Sequence, residues 1–215
     1  DDVFFCEEDK LFLIPTAEVS LAYLHHDTII QKEVLPLRYT SLTNCFRREA
    51  GGYGANERGI MRMHEFHKVE IFSFCNEEFA AQEHELMLNC AEELLQMLNL
   101  PYQVSLLATQ DCSFASKRTY DIEIFFPGSK IYKEVSSVSN CGDFQSRRSK
   151  TRCKAKNEKE SSLVYTLNGS SLAIPRVLIA LMETYQSNGE INFKEIEQCI
   201  KKAEMIVDKF FEEKK

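Results

Sequence analysis

The feature that most constrains the fold is a pair of alternating segments around a glycine-bearing loop, between Phe46 and Glu70. Side chains alternate between the two faces of a strand, so Arg47 and Glu49 project together. The second segment places five side chains on one face in the same way: Arg62, His64, Phe66, Lys68 and Glu70. The pattern predicts two strands of a hairpin whose shared face gathers cations, an aromatic ring and carboxylates.

The connection between these strands, residues 50–59, is rich in residues that accept positive φ, which favours a long mobile loop over a helix. Guanidinium groups neutralise phosphates, a phenyl ring stacks on a base, and a carboxylate accepts from an amine. These are the groups that ATP and an amino acid require. The alternative is that the charges are solvated on the outer face of an ordinary hairpin.

The remaining periodicity predicts an α+β fold, with a mostly antiparallel sheet flanked by helices. The predicted strands are 10–14, 35–39, 41–49, 60–74, 120–126, 130–136 and 162–167, and the predicted helices are 16–24, 76–100, 172–185 and 193–214. The break at Ser187-Asn188-Gly189 divides a single core domain, 1–186, from a C-terminal helical extension, 187–215. In that extension the spacing of Ile196, Ile200, Ala203, Val207 and Phe210 predicts a helix face that docks on the core.

Composition narrows the class of protein. With 215 residues and 44% hydrophobic content the chain can bury one large core, and no apolar run approaches membrane-spanning length. Eight cysteines occur without a Cys-x-x-Cys pair, so we expect free, mostly buried thiols. His64 and His67 point to opposite faces of a strand, which argues against a zinc site.

A formal net charge of −7 argues against binding nucleic acid through the overall field, so any RNA contact must be local. One basic patch interrupts the acidic chain: Arg147, Arg148, Lys150, Arg152, Lys154 and Lys156. Arg147 and Arg148 are candidates for contacts with acceptor-end phosphates or with the triphosphate of ATP. A solvated loop is the alternative, above all for the lysines.

Five segments together resemble the seryl-tRNA synthetases in order and spacing, from about Leu11 to about Gln186. They are Ile14-Pro15-Thr16-Ala17-Glu18, Phe46-Arg47-Arg48-Glu49-Ala50-Gly51, Arg62 to Glu70, Glu134-Val135-Ser136-Ser137, and Thr166-Leu167-Asn168-Gly169-Ser170 through Arg176. The hairpin resembles the second signature motif of class II aminoacyl-tRNA synthetases, and the region from Asn168 resembles the third.

The resemblance implies a class II synthetase fold and an enzyme that uses ATP and Mg²⁺ to convert L-serine into seryl-adenylate. Transfer of serine to the 3′ end of serine tRNA would follow. An extended role, the charging of selenocysteine tRNA with serine, is also implied. It also implies a homodimer in the full-length protein, a cytoplasmic location and no membrane association. Family members carry a helical N-terminal arm and a first motif that these residues lack, so we expect an incomplete enzyme.

The resemblance also assigns an ATP site. Arg47 and Arg176 would be the catalytic residues, with Arg47 gripping the α-phosphate and the serine carboxylate. The residues implied to bind ATP are Arg47, Arg48, Glu49, Arg62, Met63, His64, Glu65, Phe66, Glu134, Val135, Ser136, Ser137 and Arg176. Glu134 and Ser137 would hold Mg²⁺ with the nucleotide. Simple alternation pairs Glu134 with Ser136, so this role for Ser137 requires a β-bulge.

The resemblance places serine in a polar pocket. The implied serine-binding residues are Thr16, Ala17, Glu18, Arg47, Glu70, Asn168 and Ser170. Glu70 would pair with the ammonium group, and Thr16, Glu18, Asn168 and Ser170 would surround the hydroxyl. For Thr16 and Glu18 the alternative is a helix cap with its first-turn carboxylate.

The third motif departs from the family pattern, which has glycine where Ser171 and Pro175 stand. From the residues alone, Asn168 to Ser171 reads as the end of a strand and the start of a helix, whose amides and dipole could face an anion. Two other functions stay open: a ligase that adenylates another amino acid or a carrier protein, and a non-catalytic synthetase-like binding or regulatory module.

Overall fold

The structure, a computed structural model, describes residues 2–50 and 59–212. Its first half contains β1 (Phe5–Cys6), β2 (Leu11–Phe12), α1 (Glu18–Ala22), β3 (Ile29–Gln31), β4 (Leu37–Phe46), β5 (Glu65–Cys75), α2 (Ala80–Met97) and β6 (Tyr102–Leu106). Its second half contains β7 (Arg118–Phe126), β8 (Ile131–Gly142), α3 (Phe144–Ser149), β9 (Arg152–Lys154), β10 (Ser162–Leu163), β11 (Tyr165–Ala173), α4 (Ile174–Thr184), β12 (Gln186–Ser187), β13 (Glu190–Ile191) and α5 (Phe193–Glu212).

A six-stranded antiparallel sheet in the order β4-β5-β11-β8-β7-β6 organises the described part of the chain. The predicted hairpin forms its first two strands, with Phe46 opposite Glu65 and Ser41 opposite Glu70. The mostly antiparallel sheet with flanking helices is therefore confirmed. Two short hairpins and a three-stranded sheet, in which β3 and β9 run parallel, lie outside it.

One face of this sheet is the floor of the main hydrophobic core. Ile122, Ile124 and Phe126 alternate along β7 and are fully or almost fully buried. They pack beneath α2 and α4, which contribute six buried side chains: Leu88, Ala91, Leu95, Val177, Ala180 and Leu181. Burial of about 25 cal/mol for each square ångström of apolar surface makes such a layer a dominant source of stability. The helices thereby leave the opposite face of the sheet for polar side chains.

A smaller core partly covers the opposite face at its β4-β5 end. Leu21 and Ala22 of α1 pack with Phe72 and Phe74 of β5. The Thr16 hydroxyl accepts the backbone N–H of Glu18 at 3.2 Å, a capping bond consistent with the predicted helix start. This packing fixes the segment before α1 beside the polar residues of β5.

Three β-bulges break the alternation of the central strands. Val135 is the extra residue on β8 between Glu134 and Ser136, where Ile122 faces Ser136 and Glu123 faces Glu134. Cys141 is the second extra residue of β8, and Ser171 is the extra residue of β11 against β5. Each bulge reverses which face the following residues occupy, so these three positions decide which side chains reach the polar face.

Several predicted bounds are wrong. β11 continues through Asn168, Gly169, Ser170 and Ser171, and α4 begins at Ile174. The amides of the third motif therefore pair within the sheet, so the predicted helix N-terminus at Asn168 to Ser171 is not there. The predicted pieces 35–39 and 41–49 merge into one strand, β4, which ends at Phe46, so Arg47 and Glu49 lie beyond it. The predicted strand 60–74 begins only at Glu65, after a 3₁₀ turn at Gly59–Met61, so Arg62 and His64 lie before β5. The predicted strand 162–167 is divided between β10 and β11.

The segment after residue 185 begins with a tight hairpin at the predicted break, with positive φ at Asn188 and Gly189. From α5, Ile196 and Cys199 are buried against the core, whereas Ile200 and Val207 are partly exposed. Docking of α5 therefore involves its first turns, and Phe210 lies outside the described side chains. The division into 1–186 and 187–215 stays a prediction. No described helix has the length and apolar character needed to cross a membrane.

Candidate functional site

A cleft of about 610 Å³, including solvent at its mouth, opens on the polar face where the hairpin, β8, β11 and α4 meet. Its lining residues are Arg47, Glu49, Ile60, Met61, Arg62, Met63, Phe66, Lys68, Glu134, Val135, Ser170, Ala173, Pro175 and Arg176. Many of the residues implied to bind ATP thus line one cavity. Most of the loop predicted at residues 50–59, namely 51–58, lies outside the described residues.

Arg47 is held on the floor of this cleft by three contacts. Its backbone N–H donates to the His64 carbonyl at 2.9 Å, and its Nε donates to the Pro15 carbonyl at 3.2 Å. The guanidinium carbon lies 5.3 Å from the centre of the Phe66 ring, within cation–π distance. A guanidinium fixed in this way is suited to binding a phosphate or carboxylate in one orientation.

Two ion pairs flank Arg47. Arg62 Nε lies 2.8 Å from Glu49 Oε2, with both side chains mostly buried. On the other side of the cleft, Arg176 donates to the Glu134 carbonyl at 2.6 Å, and its guanidinium lies 3.8 Å from the Glu134 carboxylate. Both arginines therefore face the cavity while their positions are set by acidic residues that also line it.

The role implied for Ser137 requires a β-bulge between Glu134 and Ser137, and the bulge at Val135 provides it. Glu134 lies opposite Glu123, and Ser137 lies opposite Asp121. Residues directly opposite in an antiparallel pair share a face, so these four oxygen-bearing side chains are on the same face. Burial raises the pKa of Asp121 to about 6, against the opposing effect of a hydrogen bond from Ser137.

Val135 and Ser136, which lie between Glu134 and Ser137 on β8, have different surroundings from their neighbours. Val135 is almost fully buried in the main core while part of it borders the cleft. Ser136 is buried and donates to the Ser170 carbonyl. These contacts join β8 to β11 directly behind the cleft.

Beneath the cleft lies a second group of polar residues with very little exposure. Glu70 is 0% exposed and pairs with Lys68, which is 6% exposed. The Thr16 hydroxyl donates to Glu70 Oε2 at 3.2 Å, and Lys68 Nζ donates to Thr16 at 2.8 Å. Burial raises the pKa of Glu70, and the nearby Lys68, Thr16 and Asn168 side chains oppose that rise.

Glu18 is the second carboxylate of this group. Burial raises the pKa of Glu18, and repulsion by Glu70 raises it further. Gln145 of α3 opposes the rise, because its Nε2 donates to Glu18 Oε1 at 2.6 Å. Ala17 is buried beside Glu18. Two acidic side chains are thus kept close together by a small number of donors and cations.

The third motif forms another wall of this group. The Cys141 thiol donates to Asn168 Oδ1 at 3.4 Å, and burial raises the pKa of that thiol to about 12. A Cβ added at Gly169 would lie 3.1 Å from a Val138 methyl carbon, so glycine permits the close approach of β11 to β8. Ser171 has no positive φ and Pro175 lies in the first turn of α4, so neither departure from glycine strains the backbone.

Some residues implied to bind ATP lie apart from the cleft lining. Arg48 stacks over Phe4 at 5.8 Å, and the His64 ring meets Phe4 edge-on. Glu65 accepts from Asn44 at 2.7 Å on the exposed side of the hairpin. The side chains of these three residues therefore have protein partners outside the cavity.

The basic patch is also outside the cleft. Arg147 pairs with Asp143, and Arg148 lies 3.5 Å from the centre of the Phe144 ring. Arg152 donates to Ser161. The patch does not contribute to the cleft lining, so the structure does not support the predicted contact of Arg147 and Arg148 with a triphosphate in this cavity.

Sequence reasoning missed three residues of the buried polar group: Lys68, Cys141 and Gln145. Lys68 shares the period of Phe66 and Glu70 along β5, which was a usable signal. Cys141 and Gln145 had no local signal, because a bulge and a short helix bring them into place. Within the described ranges, 2–50 and 59–212, no group of three or more His, Cys, Asp or Glu side chains is arranged to hold a metal ion. All eight cysteines are free, as predicted.

Comparison with known proteins gives consistent matches. Residues 4–185 match the family model of the tRNA synthetase class II core domain (G, H, P, S and T). The serine–tRNA ligase of Rippkaea orientalis is 45% identical over 207 residues, covering 96% of this chain and 48% of the relative. That of Rickettsia rickettsii is 51% identical over 185 residues, covering 86% and 44%. The chain therefore spans about half the length of the curated relatives it matches.

Solved structures agree in fold. Seryl-tRNA synthetase from Pyrococcus horikoshii, complexed with ATP, superposes with a TM-score of 0.84 and 40% identity, over 87% of this chain and 42% of that one. Cytoplasmic serine–tRNA ligase from Naegleria fowleri, in complex with AMP, gives a TM-score of 0.83 and 28% identity, over 89% and 46%.

Proposed function

Since the chain belongs to the tRNA synthetase class II core family and has its fold, we propose that it activates L-serine with ATP to form seryl-adenylate, and that the seryl group is then transferred to the 3′ end of serine tRNA. The observation that carries the proposal is the position of Arg47, fixed between the Phe66 ring and the Pro15 carbonyl at the floor of the cleft. A homodimer, a cytoplasmic location and a role with selenocysteine tRNA stay predictions.

In the proposed first step, a carboxylate oxygen of serine attacks the α-phosphorus of ATP and pyrophosphate leaves. Arg47 binds both the α-phosphate and the carboxylate, which aligns the attacking oxygen and neutralises negative charge. The carboxylate is already ionised at neutral pH, so no general base is required. Catalysis by this site is therefore positioning and charge neutralisation.

For the nucleotide, the Phe66 ring supplies the stacking plane for adenine. The Glu49 carboxylate and the backbone near Met63 form hydrogen bonds with the edge of the adenine base. Arg62 and Arg176 hold the outer phosphates from opposite sides of the cleft, a role supported by their places in its lining. The Pyrococcus horikoshii structure complexed with ATP supports ATP as the nucleotide.

Magnesium fits the oxygen donors on β8. Glu134 and Ser137 share a face because of the Val135 bulge, and Asp121 adds a carboxylate beside them. Carboxylate and hydroxyl oxygens suit this hard cation, which would neutralise phosphate charge when bound. Within this chain, Glu134 also accepts from Arg176 through its carbonyl, so phosphate and metal ligands are tied together.

For the amino acid, Glu70 accepts the ammonium group while Thr16, Glu18, Asn168 and Ser170 surround the hydroxyl, with Ala17 limiting the space beside them. Size alone cannot exclude alanine or glycine. Buried polar groups that a wrong substrate leaves unpaired discriminate far more strongly, and the dense hydrogen bonding of this group suits such a mechanism.

The test is serine-dependent exchange of pyrophosphate into ATP by the 215-residue chain across a panel of amino acids. We expect stimulation by serine alone, and loss of at least about a hundredfold in Arg47→Ala. Arg118→Ala, an arginine paired with Tyr120 away from the cleft, is the matched control. Near-normal exchange in a folded Arg47→Ala variant refutes the role of Arg47, and stimulation by another amino acid indicates a different ligase.

A further inference from the structure

The ion pair between Lys68 and Glu70 separates the cleft from the buried polar group. Lys68 lines the cleft, whereas Glu70 is completely buried and is not part of the lining. The Lys68 ammonium lies on Glu70 Oε2 and also donates to Thr16. A molecule that enters from the cleft therefore meets Lys68 before it can reach the Glu70 carboxylate.

The charges around this pair are balanced within the protein. Glu18 and Glu70 supply two carboxylates, and Lys68 and Arg47 supply the cations that oppose the rise in the pKa of Glu18. Buried charges are costly unless they are paired, so Lys68 serves as the counterion that Glu70 requires when no substrate is present.

Serine carries the same kind of group that Lys68 presents. Its α-ammonium is a compact cation with three donors, as is a lysine ammonium. In the proposed function this group binds Glu70. Two ammonium groups on one buried carboxylate repel each other strongly at low dielectric constant, so the arrival of one favours the departure of the other.

We propose that Lys68 is a further substrate-binding residue: in the empty site it takes the place of the serine ammonium, and in the complex it moves from Glu70 to the negatively charged carboxylate or α-phosphate of the reacting pair. The inference rests on the proposed function and deepens it. The move is short, because in serine a single carbon joins the ammonium and the carboxylate. Every buried charge stays paired before and after, which makes the exchange of partners possible without exposing Glu70 to water.

Two co-crystal structures of the wild-type chain test the exchange. One contains seryl-sulfamoyl adenosine, a non-hydrolysable analogue of the adenylate, and the other contains its deamino form, which lacks only the ammonium. With the first we expect Lys68 Nζ to lie beyond about 4 Å from both Glu70 oxygens, outside ion-pair distance, and to contact the acyl-sulfamate. With the deamino form we expect the Lys68–Glu70 pair to persist.

An intact Lys68–Glu70 pair in the seryl complex overturns the inference while leaving the proposed function in place. Failure of both analogues to bind overturns both. If the pair opens equally in the deamino complex, the ammonium is not the cause and the inference again fails.

Kinetics provide a second readout. Lys68→Met removes the contact with the anion, so kcat/KM for serine should fall about ten- to a hundredfold, the value of a hydrogen bond between charged groups. Lys68→Arg should recover part of this loss. Lys201→Met, on the exposed side of α5, is the control for removal of a lysine. Unchanged kcat/KM in a folded Lys68→Met variant contradicts the contact with the anion.

Discussion

Replacing Gln145 by methionine should weaken serine binding through the Glu18 carboxylate, to which the Gln145 side chain donates. Gln145 Nε2 donates to Glu18 Oε1 at 2.6 Å, and this bond opposes the burial that raises the pKa of Glu18. Methionine has nearly the same length and no donor. The variant therefore removes one stabilising interaction from the ionised form of Glu18 and leaves the burial that disfavours it.

The magnitude follows from the kind of bond. A hydrogen bond to a charged group contributes about 1.5–3 kcal/mol. Gln145 Oε1 is buried with no partner of ordinary geometry among the described residues, so removing it relieves a cost and favours the lower end of that range. A loss of about 1.5–2 kcal/mol corresponds to a rise of roughly ten- to thirtyfold in KM for serine.

The sign of the pH dependence distinguishes this reasoning from general damage. Losing the donor raises the pKa of Glu18 further, so the protonated form persists to higher pH. The increase in KM should therefore be largest at the acidic end of the activity range and should narrow as the pH rises. Pyrophosphate exchange at varied serine concentration, measured from about pH 6 to pH 8.5, gives both quantities.

Gln103→Met is the matched control, because Gln103 Nε2 donates to Glu123 Oε2 at the same distance of 2.6 Å on the exposed edge strand β6. It should leave KM for serine unchanged. A uniform rise in KM at every pH for Gln145→Met would show that the variant distorts the pocket and does not act through the protonation of Glu18.

Three further outcomes follow from the described contacts. Phe66→Leu should raise KM for ATP about tenfold in the exchange assay, the value of one stacked base. KM for serine should rise less, because Arg47 keeps its bonds to the Pro15 and His64 carbonyls. Ser137→Ala should raise the Mg²⁺ concentration needed for half-maximal exchange, whereas Ser139→Ala, which loses a bond to Thr119, should not. Glu83→Gln should lower the free energy of unfolding by about 2 kcal/mol at pH 7 in urea titrations, because Glu83 is buried against a half-exposed Arg38. Burial alone raises the pKa of Glu83, yet the Arg38 hydrogen bonds lower it overall. The difference in unfolding free energy between the wild type and Glu83→Gln should therefore shrink as the pH falls below about 4. A difference that stays constant with pH would contradict this role of the Glu83 carboxylate.

The hairpin could be predicted from sequence because its chemistry follows a simple period. Along β5 the side chains of Phe66, Lys68 and Glu70 face the same side, as strand alternation requires, and their register with β4 is regular. Because Lys68 follows the same two-residue period, the sequence also contained a signal for its place in the site, although that role was not predicted. Propensity alone divided β4 into two pieces, because a local window does not contain the pairing with β5 that makes the strand continuous.

Contacts between distant segments were beyond local patterns. Gln145 reaches Glu18 across 127 positions in the sequence, from a six-residue helix. Neither its spacing nor its neighbours indicate which side chain of α3 turns toward the buried polar group. The helix is oriented by burial of Ser146, which donates to the Val164 carbonyl at 2.6 Å. Such a role becomes visible only after the chain has folded, since tertiary contacts define it.

The bulges explain why the sequence could predict which residues form the site but not how those residues are arranged. A strand with strict alternation would turn Glu134 and Ser137 to opposite faces, and the single extra residue Val135 brings them together beside Asp121. Val135 itself remains in the main core, so burial of one apolar side chain pays for the irregularity that aligns its polar neighbours. The bulge at Ser171 likewise lets Ser170 stay opposite Glu70 while Leu172 resumes pairing with Val69. The same residues that interrupt the sheet therefore fix which oxygens lie on its polar face.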